Sequence, residues 1–218
     1  MAWRLIVLQE IRNNNYPICD ADIWVYVCFG RIEERLFEVH NKIVIADVVE
    51  NEILRWKHNP KFSFVAKQYI EYKDQDKILV INHDIHIPEE DRVILESMLI
   101  EFGFQNYFEN KPPEKDKGEY VSAIYADYFG IKLFRTNDNL FAEGGRGRKD
   151  FPELHVQNWS ETLRILVPNY KAFIEINKKI EEEQKRCQHH REKNKVSTDI
   201  KGKEQKLDLI AALQNKWS

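Results

Sequence analysis

The sequence predicts an α/β fold with a mostly parallel central sheet. Short apolar, β-branched runs alternate along the chain with longer segments whose apolar residues recur at helical spacing. Strands that alternate with helices are typical of a parallel sheet. Hydrophobic residues make up 43% of the 218-residue chain and charged residues 32%, which fits a globular core beneath a heavily solvated surface.

Four apolar runs predict strands, and a fifth run is a candidate for a last strand. The first four are 16–20 (YPICD), 42–47 (KIVIAD), 77–82 (KILVIN) and 131–136 (IKLFRT), and the candidate is 153–159 (ELHVQNW). The second run is the richest in β-branched side chains, which favour strands.

Helical spacing predicts helices between these strands. Gly30 interrupts the helical segment 22–40, and Asp47 suits the N-cap position of the helix that follows the second strand. Gly130 is expected to close a helix over 118–130. Further helices are predicted at 62–72, 89–102, 137–143 (short) and 160–166, with loops at 111–118 (KPPEKDKG) and 144–149 (GGRGRK, flexible and basic).

The chain divides into three regions by pattern. Residues 1–15 form an N-terminal segment that is ambiguous between strand and helix, 16–167 form the α/β domain, and 168–218 form a Lys/Glu-rich helical extension ending in LDLIAALQNKW. Residues 171–218 carry a net charge of +4, and the rest of the chain carries −7. This split fits an acidic site beside a phosphate-binding extension, and it equally fits two ordinary solvated surfaces.

Composition narrows the classes of function. The three cysteines form no CxxC pair, so we expect reduced thiols and a cytoplasmic protein. The apolar run near the N-terminus is too short for a signal peptide, and no run approaches the roughly 20 apolar residues of a membrane span. The motifs GxGxxG, Walker A, HExxH and GxSxG do not occur, which excludes the dinucleotide-binding, NTPase, zincin and hydrolase-elbow patterns.

Two of four candidate acidic residues stand where α/β enzymes place their chemistry. Asp20 ends the first predicted strand and Asp138 follows the fourth, and ligands of parallel sheets bind outside the carboxyl ends of strands. Glu52 lies at the edge of an apolar helical stripe, and Glu119 lies in the first turn of a predicted helix. Taken singly, each acid also has an ordinary explanation, such as an N-cap, a surface salt bridge or a favourable helix dipole.

As a set, the four acids predict a divalent metal site. Mg²⁺ prefers oxygen ligands, and a bound cation offsets the repulsion between converging carboxylates. Such a site can polarise a phosphodiester and activate water for its hydrolysis.

The order of these segments resembles the PIN-domain family over about residues 16–167. ICDADIWVYV is similar to the family's opening strand with its terminal Asp, and IADVVENEI to its second acidic motif. GEYVSAIYADYFGIKLFRTND is similar to its third and fourth motifs joined together, and this block is the most specific part of the resemblance.

The resemblance implies a three-layer α/β/α fold and an endoribonuclease that depends on Mg²⁺ or Mn²⁺. Its metal-site acids would be Asp20, Glu52, Glu119 and Asp138. Asp22 would add a contact, while Thr136 and Asn137 would shape the turn before Asp138 and contact a water or phosphate. The resemblance also implies a homodimer, formed through the helices at 62–72 and 89–102, and a toxin or defence role with a regulatory antitoxin as partner.

Two further predictions concern substrate contacts and the alternative function. Arg146, Arg148 and Lys149 lie close in sequence to Asp138, so they are either phosphate ligands or an ordinary surface loop. The alternative to a nuclease is a non-catalytic PIN-like module that binds RNA or protein. Retention of all four acids favours the nuclease.

Overall fold

A computed structural model describes residues 9–105 and 114–187 of the chain. These residues form a three-layer α/β/α fold around a five-stranded sheet in which every pairing of neighbouring strands is parallel. The strands are β1 (Ile18–Cys19), β2 (Ile43–Ala46), β3 (Ile78–Ile81), β4 (Leu133–Arg135) and β5 (His155–Gln157). The sequence-based expectation of an α/β fold with a parallel sheet is therefore confirmed.

The strand order is β3-β2-β1-β4-β5. After β1 the chain moves outward in one direction through β2 and β3, and it then crosses back to the other side of β1 for β4 and β5. The strand order thus reverses between β1 and β4, and the crevice at such a reversal is where open α/β sheets bind ligands. The register aligns Ile18 with Val44 on one side and with Phe134 on the other.

Nine α-helices of the described part of the chain lie between β1 and residue 166. They are α1 (Ala21–Gly30), α2 (Glu33–His40), α3 (Asp47–Arg55), α4 (Ser63–Asp74), α5 (His83–His86), α6 (Glu89–Glu101), α7 (Lys117–Phe129), α8 (Arg146–Asp150) and α9 (Trp159–Leu166). Short 3-10 helices span Trp56–His58 and Asn139–Phe141. Residues 9–14 and 170–187 are also helical.

The core lies on both faces of the sheet. All residues of β1 and β2 are buried, as expected for parallel strands that are covered by helices on both sides. Trp24 of α1 is buried among the rings of Phe37, Tyr69 and Tyr72, and its indole N–H donates to the Val65 carbonyl oxygen at 3.2 Å. This aromatic cluster joins α1, α2 and α4 beside β1 and fixes the start of the domain.

Two local predictions are wrong. Asp47 is not an N-cap: Ala46 holds that position, and Asp47 begins α3 with its Oδ2 accepting the backbone N–H of His83 at 2.8 Å. The segment 144–149 is not a flexible loop, because residues Arg146–Asp150 form α8. A Cβ on Gly147 would lie 2.7 Å from the Phe141 ring, so this glycine serves close packing rather than flexibility.

The ends of the chain are described only in part. The described residues of the N-terminal segment include a helical turn at 9–14, which settles that portion of the ambiguous region as helix. The chain separates into two compact units, Met1–Ile174 and Glu175–Ser218, so the division falls within the helical stretch 170–187. The amphipathic segment 207–217 lies outside the described residues.

Within the described ranges, the helices include none that is long and apolar enough to cross a membrane. Cys19 and Cys28 are buried and form no disulfide with the described residues.

Candidate functional site

The carboxyl ends of β1 and β4 bring the first and last predicted acids to one place. Asp20 directly follows β1, and its backbone N–H donates to the Arg135 carbonyl oxygen of β4 at 2.9 Å. Asp138 follows β4 by three residues. The two acids therefore stand at the reversal of strand order, where the crevice of an open sheet is expected.

Asp20 is the most deeply buried of these acids, with 4% of its surface exposed. Burial raises its pKa well above the ordinary value, and the negative charges of Glu119 and Asp22 raise it further. The Thr136 hydroxyl lies 3.5 Å from Asp20 Oδ2 as a donor. A Cβ on Gly118 would lie 3.8 Å from Asp20 Oδ1 and 3.3 Å from the Val49 side chain, so glycine lets the start of α7 approach this acid.

Asp22 lies on the first turn of α1 and has one satisfied and one unsatisfied oxygen. Its Oδ2 accepts the backbone N–H of Asn137 at 2.9 Å, whereas its Oδ1 is buried without a hydrogen-bond partner among the described residues. Burial is the largest cause that raises its pKa to about 6, and the charges of Asp138 and Glu52 add to the effect. An orphaned carboxylate oxygen in a group of acids is costly unless something positive faces it.

Glu119 and Asp138 meet in the structure together with Asp116, an acid that sequence analysis missed. Each of the three offers a carboxylate oxygen, and these oxygens all lie within 4.8 Å of one another. Burial raises the pKa of Glu119 to about 7, with further contributions from Asp138 and Asp116. We refer to Asp20, Asp22, Asp116, Glu119 and Asp138 as the acidic cluster.

Asp116 was missed as a site residue by sequence analysis because of the residues around it. It lies in the charged segment KPPEKDKG, which reads as a loop, but it adopts the left-handed conformation (φ 64°) at the N-cap position of α7. Asp tolerates this conformation better than most residues. Its place one helical turn before Glu119 is the signal in the sequence that could have found it, because i and i+3 share a helix face.

Glu52 is more exposed to solvent than the other predicted metal-site acids. It is exposed on α3 and is not one of the three acids whose oxygens lie within 4.8 Å of one another. Its charge nevertheless raises the pKa values of Asp20, Asp22 and Glu119. Desolvation raises the pKa of Glu52 itself, and Arg55 opposes that shift.

Two clefts are each lined in part by acids of the cluster. The first, of about 490 Å³, is lined by Val48, Glu52, Arg55, Trp56, Glu114, Lys115, Asp116, Lys117, Gly118 and Glu119. The second, of about 430 Å³, is lined by Thr136, Asn137, Asp138, Asn139, Phe141, Ala142, Glu143, Arg148, Val156, Asn158, Ser160 and Glu161. Glu119 lines the first cleft and Asp138 the second, so the neighbouring carboxylates of these two residues link the clefts.

The turn after β4 is built from the residues expected to shape it. Thr136 Oγ1 accepts the backbone N–H of Asp138 at 3.2 Å. The Asn137 side-chain oxygen accepts the backbone N–H of Trp159 at 3.3 Å, and its amide nitrogen donates to the Tyr26 hydroxyl at 3.4 Å. Asp138 Oδ1 accepts the backbone N–H of Leu140 at 2.7 Å, which fixes this carboxylate. Asp138 is therefore both the N-cap of the 3-10 helix Asn139–Phe141 and a member of the acidic cluster.

The three predicted basic residues are placed differently. Arg148 lines the second cleft and donates to the Leu154 carbonyl oxygen at 3.4 Å. Arg146 lies over the Tyr120 ring, 6.0 Å from its centroid, with its Nε 3.5 Å from Asp150 Oδ2. Lys149 is exposed on α8 and lines neither of the two clefts. Of the three, Arg148 is thus the one that the fold brings to the same cleft as Asp138.

Comparison of the chain with known protein families, curated proteins and solved structures found no match. The geometry of the site therefore carries the functional argument.

Proposed function

We propose that this protein is a divalent-metal-dependent nuclease of the PIN type that hydrolyses phosphodiester bonds of RNA. The observation that carries this proposal is the approach of carboxylate oxygens of Asp116, Glu119 and Asp138 to within 4.8 Å, together with the buried Asp20 and the half-buried Asp22 of the same cluster. The reversal of strand order between β1 and β4 supports it, because this crevice is the usual ligand site of such sheets.

The residues present fit Mg²⁺ or Mn²⁺. Every acid in the cluster offers oxygen, the ligand that hard cations prefer, and the buried, unpartnered Asp22 Oδ1 is an oxygen that a nearby positive charge would satisfy. Asp116, Glu119 and Asp138 would hold the ion, with Asp20 and Asp22 behind them and Glu52 at the entrance to the first cleft. When bound, the ion supplies Lewis-acid stabilisation of charge on the phosphodiester.

The protein's own residues hold this arrangement in place. Thr136 contacts both Asp20 and the backbone of Asp138, so one hydroxyl orients the ends of β1 and β4. The Leu140 amide holds Asp138, and the Asn137 amide holds Asp22. Preorganised carboxylates of this kind need no rearrangement when cation and substrate arrive.

Cations at the rims of the clefts support a phosphate-containing substrate. Arg55 and Lys115 line the first cleft, and Arg148 lines the second. The preference for RNA, the toxin or defence role and the antitoxin partner rest on the resemblance to PIN domains.

A cleavage assay tests the proposal. Purified protein is incubated with end-labelled single-stranded RNA or DNA in Mn²⁺, Mg²⁺ or EDTA, beside Asp20→Asn, Asp138→Asn and the control Asp127→Asn, which alters an exposed acid of α7. We expect cleavage of RNA with metal only, a loss of about 100-fold or more in the first two variants, and wild-type activity in the control. Wild-type cleavage by either site variant would show that the acids are assigned wrongly.

Self-association is a second element of the proposal. Helix α6 exposes Val93, Ile94 and Ile100, with 61%, 59% and 57% of their surfaces accessible, and α4 exposes Phe64 at 41%. Burial of such side chains against a second copy would be favourable. Sedimentation velocity at micromolar concentration should show a dimer, and replacement of Val93 and Ile100 by Ser should shift it to monomer. A monomer in the unmodified protein would refute the dimer.

A further inference from the structure

The first cleft is lined by more than acids. Besides its acids, the cleft is lined by an aromatic ring and by cations, among them Trp56, Arg55 and Lys115. Trp56 begins the 3-10 helix after α3 and packs against Phe62, with ring centroids 5.4 Å apart, while remaining partly accessible. The Lys115 side chain is 90% exposed, and its Nζ lies 3.7 Å from Asp116 Oδ1. A metal site alone requires neither the ring nor the cations.

Acids of the cluster line both clefts. Glu119 and Asp138 contribute one to each cleft, and their carboxylate oxygens lie within 4.8 Å of each other. Cleft volumes of about 490 and 430 Å³ lie in the range of pockets that hold small organic ligands, which is the size class of one nucleotide. Arg148 provides a cation in the second cleft, so each cleft holds a group that can contact phosphate.

We propose that a single-stranded oligonucleotide crosses the acidic cluster from one cleft to the other, with one base stacked on Trp56 and the adjoining phosphate held by Arg55 and Lys115. The next nucleotide lies in the second cleft beside Arg148. This inference rests on the proposed function, because it places the phosphodiester between the two clefts at the acids.

The aromatic side chain determines which form of nucleic acid fits. A base can stack on Trp56 only if it is free of its neighbours in a helix, so the site selects single strands over duplexes. Stacking does not require a particular base, because every base has a π face. The cations contact phosphate, which carries no sequence information. Filling both clefts requires nucleotides on each side of the bond, so the arrangement favours cleavage within a strand over removal of a terminal nucleotide.

Binding measurements test the stacking contact. Fluorescence anisotropy with a labelled octanucleotide of RNA or DNA, in Ca²⁺ to limit cleavage, compares Trp56→Ala with Tyr170→Ala, a variant of an exposed aromatic residue that lines neither of the two clefts. Trp56→Ala should weaken single-strand binding by about 5- to 150-fold, the range for one lost base stack. Trp56→Phe should recover most of the affinity, and Tyr170→Ala should bind as the wild type does.

A separate measurement, the salt dependence of binding, tests the phosphate contact. Replacing both Arg55 and Lys115 by Ala should reduce the slope of log affinity against log salt by about 1.4, or about 0.7 for each contact to a single strand. The matched control replaces Arg35 and Lys67, two exposed cations on α2 and α4, and should leave the slope close to that of the wild type. A hairpin duplex of the same composition should bind more weakly than the single strand and lose little affinity in Trp56→Ala.

The outcomes separate this inference from the nuclease proposal. Binding that depends on Trp56 without cleavage in any metal would refute the nuclease and leave the nucleotide subsite intact. If the wild-type protein cleaves RNA but the Trp56→Ala and Tyr170→Ala variants bind it with the same affinity, the subsite alone is refuted. Failure of the wild-type protein to bind either oligonucleotide would overturn the inference. If Trp56→Ala fails to fold, the salt slope of the Arg55 and Lys115 variant and the affinity of Trp56→Phe still decide it.

Discussion

Two polar clusters follow the carboxyl ends of the strands, and they are built on opposite principles. The acidic cluster, beyond β1 and β4, gathers like charges that repel one another. The paired cluster, beyond β2 and β3, consists of Asp47, His83, Glu96 and Tyr125, whose polar groups face complementary partners.

The contacts of the paired cluster are dense. Asp47 Oδ2 accepts the His83 backbone N–H at 2.8 Å, and Asp47 Oδ1 accepts the Tyr125 hydroxyl at 3.2 Å. His83 Nδ1 lies 3.3 Å from the same hydroxyl, and His83 Nε2 lies 3.1 Å from Glu96 Oε1. Buried polar groups satisfied in this way rigidify a core and tie elements together, here α3, α5, α6 and α7.

The difference shows which cluster is built for a ligand. In the paired cluster each buried group has a partner within the protein, so its role is structural. In the acidic cluster the pKa values of Asp20, Asp22 and Glu119 are raised, and Asp22 Oδ1 is orphaned. Among the described residues, the ion pairs give this cluster one counterion, the exposed Lys115 beside Asp116, so keeping the cluster carries a cost in stability that a bound cation would offset.

The largest effect is expected from breaking the paired cluster. Asp47→Ala removes the acceptor of the His83 amide and of the Tyr125 hydroxyl in a site where Asp47 is only 6% exposed. The free energy of unfolding should fall by about 3 kcal/mol, because buried donors are left unsatisfied. Urea denaturation measures it. Asp84→Ala, which breaks an exposed ion pair with Arg92, is the control and should cost less than about 1 kcal/mol. Equal costs would mean that the paired cluster is not structural.

The second prediction uses the opposite responses of the two clusters to pH. The pKa of Glu119 is raised from 4.5 to about 7, so the folded protein binds more protons than the unfolded chain between these values. The stability this confers is fully present below pH 4.5 and is lost as pH rises through about 7. The pKa of His83 is lowered, chiefly by burial, so its contribution has the opposite sign and weakens on acidification.

Subtracting the wild type from Glu119→Gln cancels the contributions that Glu119 does not influence, and it leaves those of Glu119 and of Asp20, whose pKa the Glu119 charge raises. In EDTA, the unfolding free energy of Glu119→Gln minus that of the wild type should rise by about 2 kcal/mol between pH 4.5 and pH 7.5. The contribution of His83 is common to both proteins and cancels in the difference. A difference that stays constant across this range would show that Glu119 is not held among like charges.

A smaller effect is expected at Asp20. In metal-free protein at pH 8, Asp20→Asn should raise the free energy of unfolding by about 1 kcal/mol, because it removes one charge from the repelling group. The same variant should lose the stabilisation that Mn²⁺ gives the wild type through binding to the folded state. Thermal scans with and without Mn²⁺ measure both, with Asp127→Asn as control. Strong destabilisation of metal-free Asp20→Asn would instead make Asp20 a structural residue like Asp47.

Sequence patterns predicted the frame of the molecule well. Apolar, β-branched runs located the strands, and the positions of Asp20 and Asp138 relative to β1 and β4 followed from the order of elements. Gly130, with φ 72°, ends α7 where its conformational freedom indicated. These features depend on local pattern, which a single sequence carries.

Features that depend on tertiary contacts were missed. The glycines and charges of 144–149 predicted a loop. In the structure, Gly147 packs on Phe141 and the Tyr120 hydroxyl donates to Asp150 at 2.8 Å, and these contacts hold α8 in place. Asp47 was predicted to be an N-cap because its distant partners, His83 and Tyr125, cannot be inferred from its neighbours in sequence. Asp116 joined the site through a left-handed backbone conformation that the composition of its segment does not reveal.

The smallest effect is expected from the basic extension, whose role the charge split leaves open. Residues 171–218 carry +4 and the remainder carries −7, so long-range electrostatics favour contact of RNA with the extension rather than with the body. Five cations of the extension lie in its described helical part: Lys171, Lys178, Lys179, Lys185 and Arg186.

Replacing these five by Gln should weaken RNA binding by less than about tenfold at physiological salt and flatten its salt dependence, since fewer counterions are released on binding. Cleavage at saturating substrate should be unchanged, because the acidic cluster is intact. The competing role for the extension is docking through Leu209, Leu213 and Trp217, tested by changing those three to Ser. Unchanged RNA affinity in the first variant, together with lost solubility or stability in the second, would show that the extension stabilises the protein and does not recruit RNA. The reverse pattern would assign the extension to substrate capture, which would add a cationic surface to a body whose net charge is −7.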